Sequence, residues 1–155
     1  MTKKCDLNSS DYVESSLHTL RSAGVRLTKA RMAFLEELAE IKRPMRAREL
    51  FDLVSKSKRV GRVDQVTVYR ILDKFEEFGL VHRVSPSGGY LPCFHQNCSS
   101  SSPHILLHCS TCEKISELAI PEETLAPMLW YLKGSHGFTA NSEPLQLSGV
   151  CSACG

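Results

Sequence analysis

No apolar run in this chain approaches the roughly 20 residues that span a bilayer. The start, Met1 to Asp6, leads into no apolar signal core, so a cytoplasmic location is the expectation. Enzymatic signatures are missing too: there is no H-E-x-x-H, no G-x-S-x-G and no open three-ligand site with an evident general base. Cations are scarce in the second half, where residues 86–155 hold 2 Lys+Arg against 5 Asp+Glu. Residues 1–85 hold 17 against 12, which makes the first half the one suited to an anion. At 155 residues, 42% of them hydrophobic, the chain has material for a real core in one domain or two small ones.

Cysteine, by contrast, is plentiful. Seven is an odd count, and clustering with histidine in a chain without a signal core favours metal ligation over a disulfide framework. Cys109-Ser110-Thr111-Cys112 and Cys151-Ser152-Ala153-Cys154 are two C-x-x-C knuckles, able to place four thiolates at the corners of a tetrahedron as a closed structural zinc site requires. The 38 residues between them exceed the roughly 15–20 of a compact zinc ribbon, so the metal would clamp the two ends of a small subdomain. Buried reduced thiols, two disulfides and a redox dithiol compete with this reading, although a single C-x-x-C suffices for the last. Upstream, His82, Cys93, His95, Cys98, His104 and Glu117 offer imidazole, thiolate and carboxylate donors that four-coordinate zinc accepts.

The basic half reads as helical. Tyr12, Val13, Leu17 and Leu20 recur near the helical period over residues 11–23, and Gly24 supplies a stop. Thr28 is placed to cap a helix over Lys29 to Ala39 with Met32, Leu35 and Leu38 inward. Lys29 and Arg31 crowd its first turn, where cations oppose the helix dipole and an incoming anion would be met. Leu50, Phe51 and Val54 form the stripe of a third helix from about Ala47 to Ser57, followed by the basic linker Lys58 to Val63. Asp64 caps a fourth, from Gln65 to Phe78, ended by Gly79 and buried through Val68, Leu72 and Phe75. Gln65, Thr67, Tyr69, Arg70, Asp73 and Lys74 then lie outside, a surface that could enter a major groove.

After Gly79 the period changes. Leu80 to Ser85 and Tyr90 to Phe94 read as strands around the turn Pro86 to Gly89, and helices followed by a hairpin suggest a winged helix-turn-helix. Further on, His104 to His108 and Lys114 to Leu118 are expected strands flanking the first knuckle. A helix is expected from Pro121 or Thr124 to about Leu132, broken by Gly134 and Gly137, with Pro127 tolerable only near its start. Pro144 to Val150 returns to the second knuckle.

Thr67-Val68-Tyr69-Arg70-Ile71-Leu72, continuing through Phe75-Glu76-Glu77-Phe78-Gly79-Leu80-Val81, resembles the recognition helix and wing entry of the ferric uptake regulator family. Val25 to Arg31 resembles the segment opening that family's second helix, and the C-x-x-C pairs fall where its structural zinc ligands occur. The resemblance implies an α+β chain with an N-terminal winged helix-turn-helix and a small C-terminal α/β dimerisation domain holding a four-cysteine zinc site. It implies boundaries at residues 1–85 for DNA binding, 86–98 for a hinge and 99–155 for the zinc-stapled domain. The implied function is a homodimeric repressor on double-stranded operator DNA, with metal as co-repressor. Similarity to the zinc uptake regulator branch implies four regulatory ligands, His82, Cys93, His104 and Glu117, beside the structural Cys109, Cys112, Cys151 and Cys154.

The Cys93 thiolate is the physical reason to expect zinc over iron or manganese, which favour harder donors. An iron-, manganese- or peroxide-responsive repressor of the same family is the alternative. The chain departs from the family's usual histidine-rich run at Ser99 to Pro103 and carries Leu106 where many members have a second histidine, which leaves His95 and Cys98 as alternatives to His104. On DNA, Arg70 is the leading base reader, with Tyr69, Thr67 and Gln65 beside it; Arg26, Lys29, Arg31, Arg46 and Arg48 are expected to neutralise phosphates. Cys5 lies outside every motif, and His18, His108 and His136 are taken as structural or exposed.

Overall fold

The computed structural model describes residues 9–57, 63–85, 87–94, 104–140 and 143–155. Cys5, His95, Cys98, most of the basic linker and Ser99 to Pro103 lie outside them. The chain forms two compact units, one within Asp6–Gln96 and the other within Asn97–Gly155. No helix among the described residues is long and apolar enough to cross a membrane.

The first unit contains α1 (Ser9–Ser22), α2 (Lys29–Ala39), α3 (Ala47–Lys56), α4 (Gln65–Glu77) and an antiparallel hairpin of β1 (Val81–Val84) and β2 (Gly89–Pro92). Each of the last three helices has a local cause for its start. Thr28 accepts the Arg31 N–H, Asp64 accepts the Thr67 N–H at 2.7 Å, and Glu49 reaches back to the Arg46 N–H at 2.8 Å. Gly24 and Gly79, both at positive φ, end α1 and α4. One core joins the elements: Tyr12, Leu20, Phe34, Leu35, Leu38, Leu50, Val68, Leu72 and Phe75 are fully buried within it. Met45 pairs with Tyr90, fastening the hairpin to the chain before α3. This is a winged helix-turn-helix.

Met32 does not point inward as the helical period suggested. It is 37% exposed, and Ala33 and Phe34 take the buried face instead. With apolar residues at every position from 32 to 35 the stripe is not unique, and Phe34, about 200° round the helix from Met32, is the one buried.

The second unit contains β3 (His104–Cys109), β4 (Ile115–Ala119), α5 (Glu122–His136) and β5 (Leu145–Gly149), with strand order β4-β3-β5. β3 pairs antiparallel with β4 and parallel with β5. Helix α5 runs a full turn beyond the expected break: Gly134 lies inside it, and Gly137, at φ 61°, is the left-handed cap. Pro127 also lies inside, depriving the Glu123 carbonyl of its usual donor. No residue of α5 is buried.

Candidate metal centres and nucleic-acid surface

The four-cysteine cluster follows from the parallel register. Cys109 closes β3 opposite Gly149, the last residue of β5, so the knuckle after each strand starts at the same level. Ser110 locks the two together by donating its N–H (2.8 Å) and hydroxyl (3.1 Å) to the Gly149 carbonyl. The first knuckle turns through Glu113 at φ 58°, whose N–H bonds the Cys109 carbonyl, and the second closes through the Cys154 N–H on the Cys151 carbonyl. All four Sγ atoms lie within 4.8 Å of one another, and the Cys112–Cys151 separation is 3.8 Å. Metal–sulfur bonds of about 2.3 Å in a tetrahedron give an edge of about 3.8 Å, so zinc fits, whereas a disulfide needs about 2.05 Å.

Electrostatics treat the thiols of the cluster unequally. Backbone N–H groups of Cys112, Cys151 and Thr111 hold the Cys109 thiol down at about 5, the Cys151 N–H standing 3.3 Å from its sulfur. Cys154 is pushed up to about 12, chiefly by hydrogen bonds to the neighbouring Cys151 and Cys112 sulfurs. Four sulfur donors leave no open coordination position, so the arrangement suits a structural ion.

The remaining sequence-derived ligands occur as two pairs built alike. In the first unit, His82 lies on β1 opposite Leu91, and Cys93 directly follows β2 with its N–H on the Leu80 carbonyl at 2.9 Å. One step along that register sets Cys93 opposite Leu80, so His82 and Cys93 are diagonal neighbours on one face of the hairpin, their ligand atoms within 4.8 Å. Both are buried. In the second unit, His104 faces Ala119 and Glu117 faces Leu106 across β3–β4. That is again a diagonal pair, with Nε2 and Oε1 3.1 Å apart and His104 buried. His136 stands exposed at the end of α5, where its ring meets that of Tyr131 edge-on.

Helix α4 presents the groove-facing candidates. Gln65, Tyr69 and Arg70 are exposed and Thr67 is half-buried, its N–H taken by Asp64. Val66, 59% exposed, lies among them and escaped the sequence reading; an apolar residue between polar ones at a helix start was the available signal. Lys29 and Arg48 are exposed. Arg31 is less available: its guanidinium bonds the Arg26 carbonyl and its Nε is buried without a partner. Arg46 donates Nε–H to the Ser87 carbonyl of the hairpin turn at 3.3 Å. Arg83, also unanticipated, bonds the Tyr90 hydroxyl at 2.7 Å and approaches Glu76 of α4 at 3.7 Å, tying wing to helix.

The fold recurs in known proteins. The Ferric uptake regulator family profile matches residues 22–147. The Zinc uptake regulation protein of Escherichia coli (strain K12) is 29% identical over 132 residues, covering 84% of this chain and 73% of that protein. Among solved structures, holo XcZur superposes with a TM-score of 0.74 at 26% identity, covering 94% of this chain and 96% of the other. A zinc uptake regulator complexed with zinc and DNA shares the fold, with a TM-score of 0.78 at 22% identity over 96% of this chain and 95% of that one.

Proposed function

Because the chain belongs to the ferric uptake regulator family, we propose that it is a zinc-responsive DNA-binding transcriptional repressor of metal-uptake genes, with zinc as its co-repressor. It acts in the cytoplasm, as a regulator and not as an enzyme. Residues 1–85 form the winged-helix DNA-binding domain, 86–98 the hinge and 99–155 the zinc-stapled dimerisation domain.

One observation supports the reading: each unit carries a pair of donors of the kind zinc accepts. His82 with Cys93, and His104 with Glu117, are two-donor pairs, and tetrahedral zinc takes four ligands. The two pairs would hold one ion jointly, and that ion supplies a reversible cross-link between the DNA-binding and dimerisation domains. Cys93 sets the metal preference, since a thiolate favours zinc over the harder-donor metals. Cys109, Cys112, Cys151 and Cys154 would hold a second, permanent zinc. Binding favours the operator-competent arrangement only to the extent that the shared donors grip the ion better there.

The exposed apolar residues of the second unit, Met128, Trp130, Tyr131, Phe138, Leu145, Leu147 and Val150, offer the surface on which a second copy docks. Two recognition helices then meet successive half-sites of double-stranded operator DNA. Arg70, Tyr69, Thr67 and Gln65 face base edges, while Lys29, Arg31 and their basic neighbours meet phosphates.

Mobility-shift titration of apo protein at buffered free zinc, iron(II) and manganese tests the proposal. Zinc should restore operator binding at the lowest free concentration. Restoration by iron or manganese alone, or release by peroxide with iron bound, would assign the chain to a different sensing branch.

A further inference from the structure

We propose that Tyr12 is a positioning residue for the sensing ligands, fixing through the Leu80 carbonyl the strand entry and the residue that carry His82 and Cys93. This rests on the zinc-sensing reading above and names a determinant of that site's affinity.

Tyr12 lies on α1, 68 positions before Leu80, and is 1% exposed. Its hydroxyl donates to the Leu80 carbonyl at 2.9 Å, and the same oxygen accepts the Cys93 N–H at 2.9 Å. Both acceptor positions of that carbonyl are thereby filled, which fixes the plane of the peptide leading into β1 two residues before His82. The Leu80 N–H donates to the Phe75 carbonyl in the last turn of α4 at 2.8 Å. One residue thus joins the recognition helix, the His82 strand and the Cys93 backbone, and Tyr12 holds it from α1. The Tyr12 ring also packs against Phe94, next to Cys93, with centroids 5.2 Å apart.

A hydroxyl is not needed to fill this part of the core. Phenylalanine occupies nearly the same volume, and a phenol in an apolar interior is unfavourable unless bonded. Partners of this kind orient metal ligands that they do not themselves replace.

The test uses the full chain with zinc already in the four-cysteine site, titrated with cobalt(II), whose thiolate charge-transfer band reports Cys93 when it is lost in Cys93→Ser. Tyr12→Phe should weaken cobalt binding about tenfold, as loss of a ligand-orienting hydrogen bond does elsewhere, with the band present at saturation. Thr19→Val removes a different α1 bond, the Thr19 hydroxyl on the Ser15 carbonyl, and should bind as wild type does. Equal affinity for Tyr12→Phe and wild type would overturn the positioning role alone, as would an equal loss in Thr19→Val. Absence of the thiolate band in wild type would remove the sensing site itself, and this inference with it.

Discussion

Cys112 Sγ stands 3.8 Å from Cys151 Sγ although 38 residues separate them. The parallel pairing of β3 with β5 creates that closeness, and without a metal it would gather four sulfurs to no structural benefit. Apparent binding free energies of structural zinc, about 10–16 kcal/mol in small fingers, match or exceed the whole stability of an ordinary domain, about 5–15 kcal/mol. Cys112→Ser should therefore lose one zinc per chain, the protected β3–β5 amides and the dimer. The first unit, with its own core, should still unfold cooperatively. Metal analysis, hydrogen exchange and sedimentation check the three outcomes.

Cys93→Ser should leave fold and dimer intact and abolish the zinc response. Couplings between sites ordinarily amount to about 5–150-fold, and that ratio of operator affinity with and without zinc should fall to about one. His104→Ala should behave likewise, because it leaves Glu117 as the second unit's one donor and zinc one ligand short of its usual four. A Cys93→Ser protein with the wild-type response would refute the assignment of the sensing ligands.

The candidate donors were legible by two routes: C-x-x-C spacing marked the four cysteines, and resemblance to the zinc uptake regulator branch singled out His82, Cys93, His104 and Glu117 from six imidazole, thiolate and carboxylate donors. Helix starts at Lys29 and Gln65 were legible because Thr28 and Asp64 act within three residues. Positions decided by distant packing were not. Met32 and Phe34 compete for one core, and only the elements packed against α2 decide between them. Helix α5 passes Gly134 because an interior glycine costs a helix only about 1 kcal/mol, and the left-handed cap falls at Gly137 instead. Tyr12 read as one more apolar residue on a stripe; its hydroxyl bond spans 68 positions and leaves no local trace.

Asp64 offers a pH test of the recognition helix. The Thr67 N–H, then its side chain, hold the Asp64 carboxyl below the ordinary carboxylate range. A lowered folded-state value contributes stability above the unfolded value and loses it as pH falls through the lowered one. Asp64→Ala should thus melt below wild type at pH 7, and the two curves should converge as pH falls below about 4. A gap that persists in acid would assign the effect to helix propensity instead.

Trp130 is 81% exposed on a helix with no buried residue. Aromatic residues in that setting are common anchors of protein interfaces, where truncation of a central one costs about 2 kcal/mol or more, on the order of 30-fold. Trp130→Glu should weaken the dimer by at least about that factor and leave zinc content unchanged. Because a monomer can engage one half-site where the dimer engages two, operator affinity should fall with it. Sedimentation equilibrium against metal content separates this from a folding defect.

Arg70 and Lys29 should fail in different ways. Arg70 is exposed on the outer face of α4, where a guanidinium can bond two acceptors of guanine, so Arg70→Ala should cost about 1–3 kcal/mol and relax preference at one base pair per half-site. Its effect should persist in high salt. Lys29 is exposed in the first turn of α2, away from the recognition helix in sequence, and a phosphate contact there releases counterions without reading bases. Lys29→Ala should weaken every operator variant alike and lower the slope of log affinity against log salt by about 0.9 for each phosphate it no longer neutralises. Arg31→Ala should do less than Lys29→Ala, because its guanidinium is already engaged by the Arg26 carbonyl. Binding measured on wild-type and singly mutated operators over a salt series distinguishes the three, and a Lys29→Ala protein with altered base preference would move that residue into the groove.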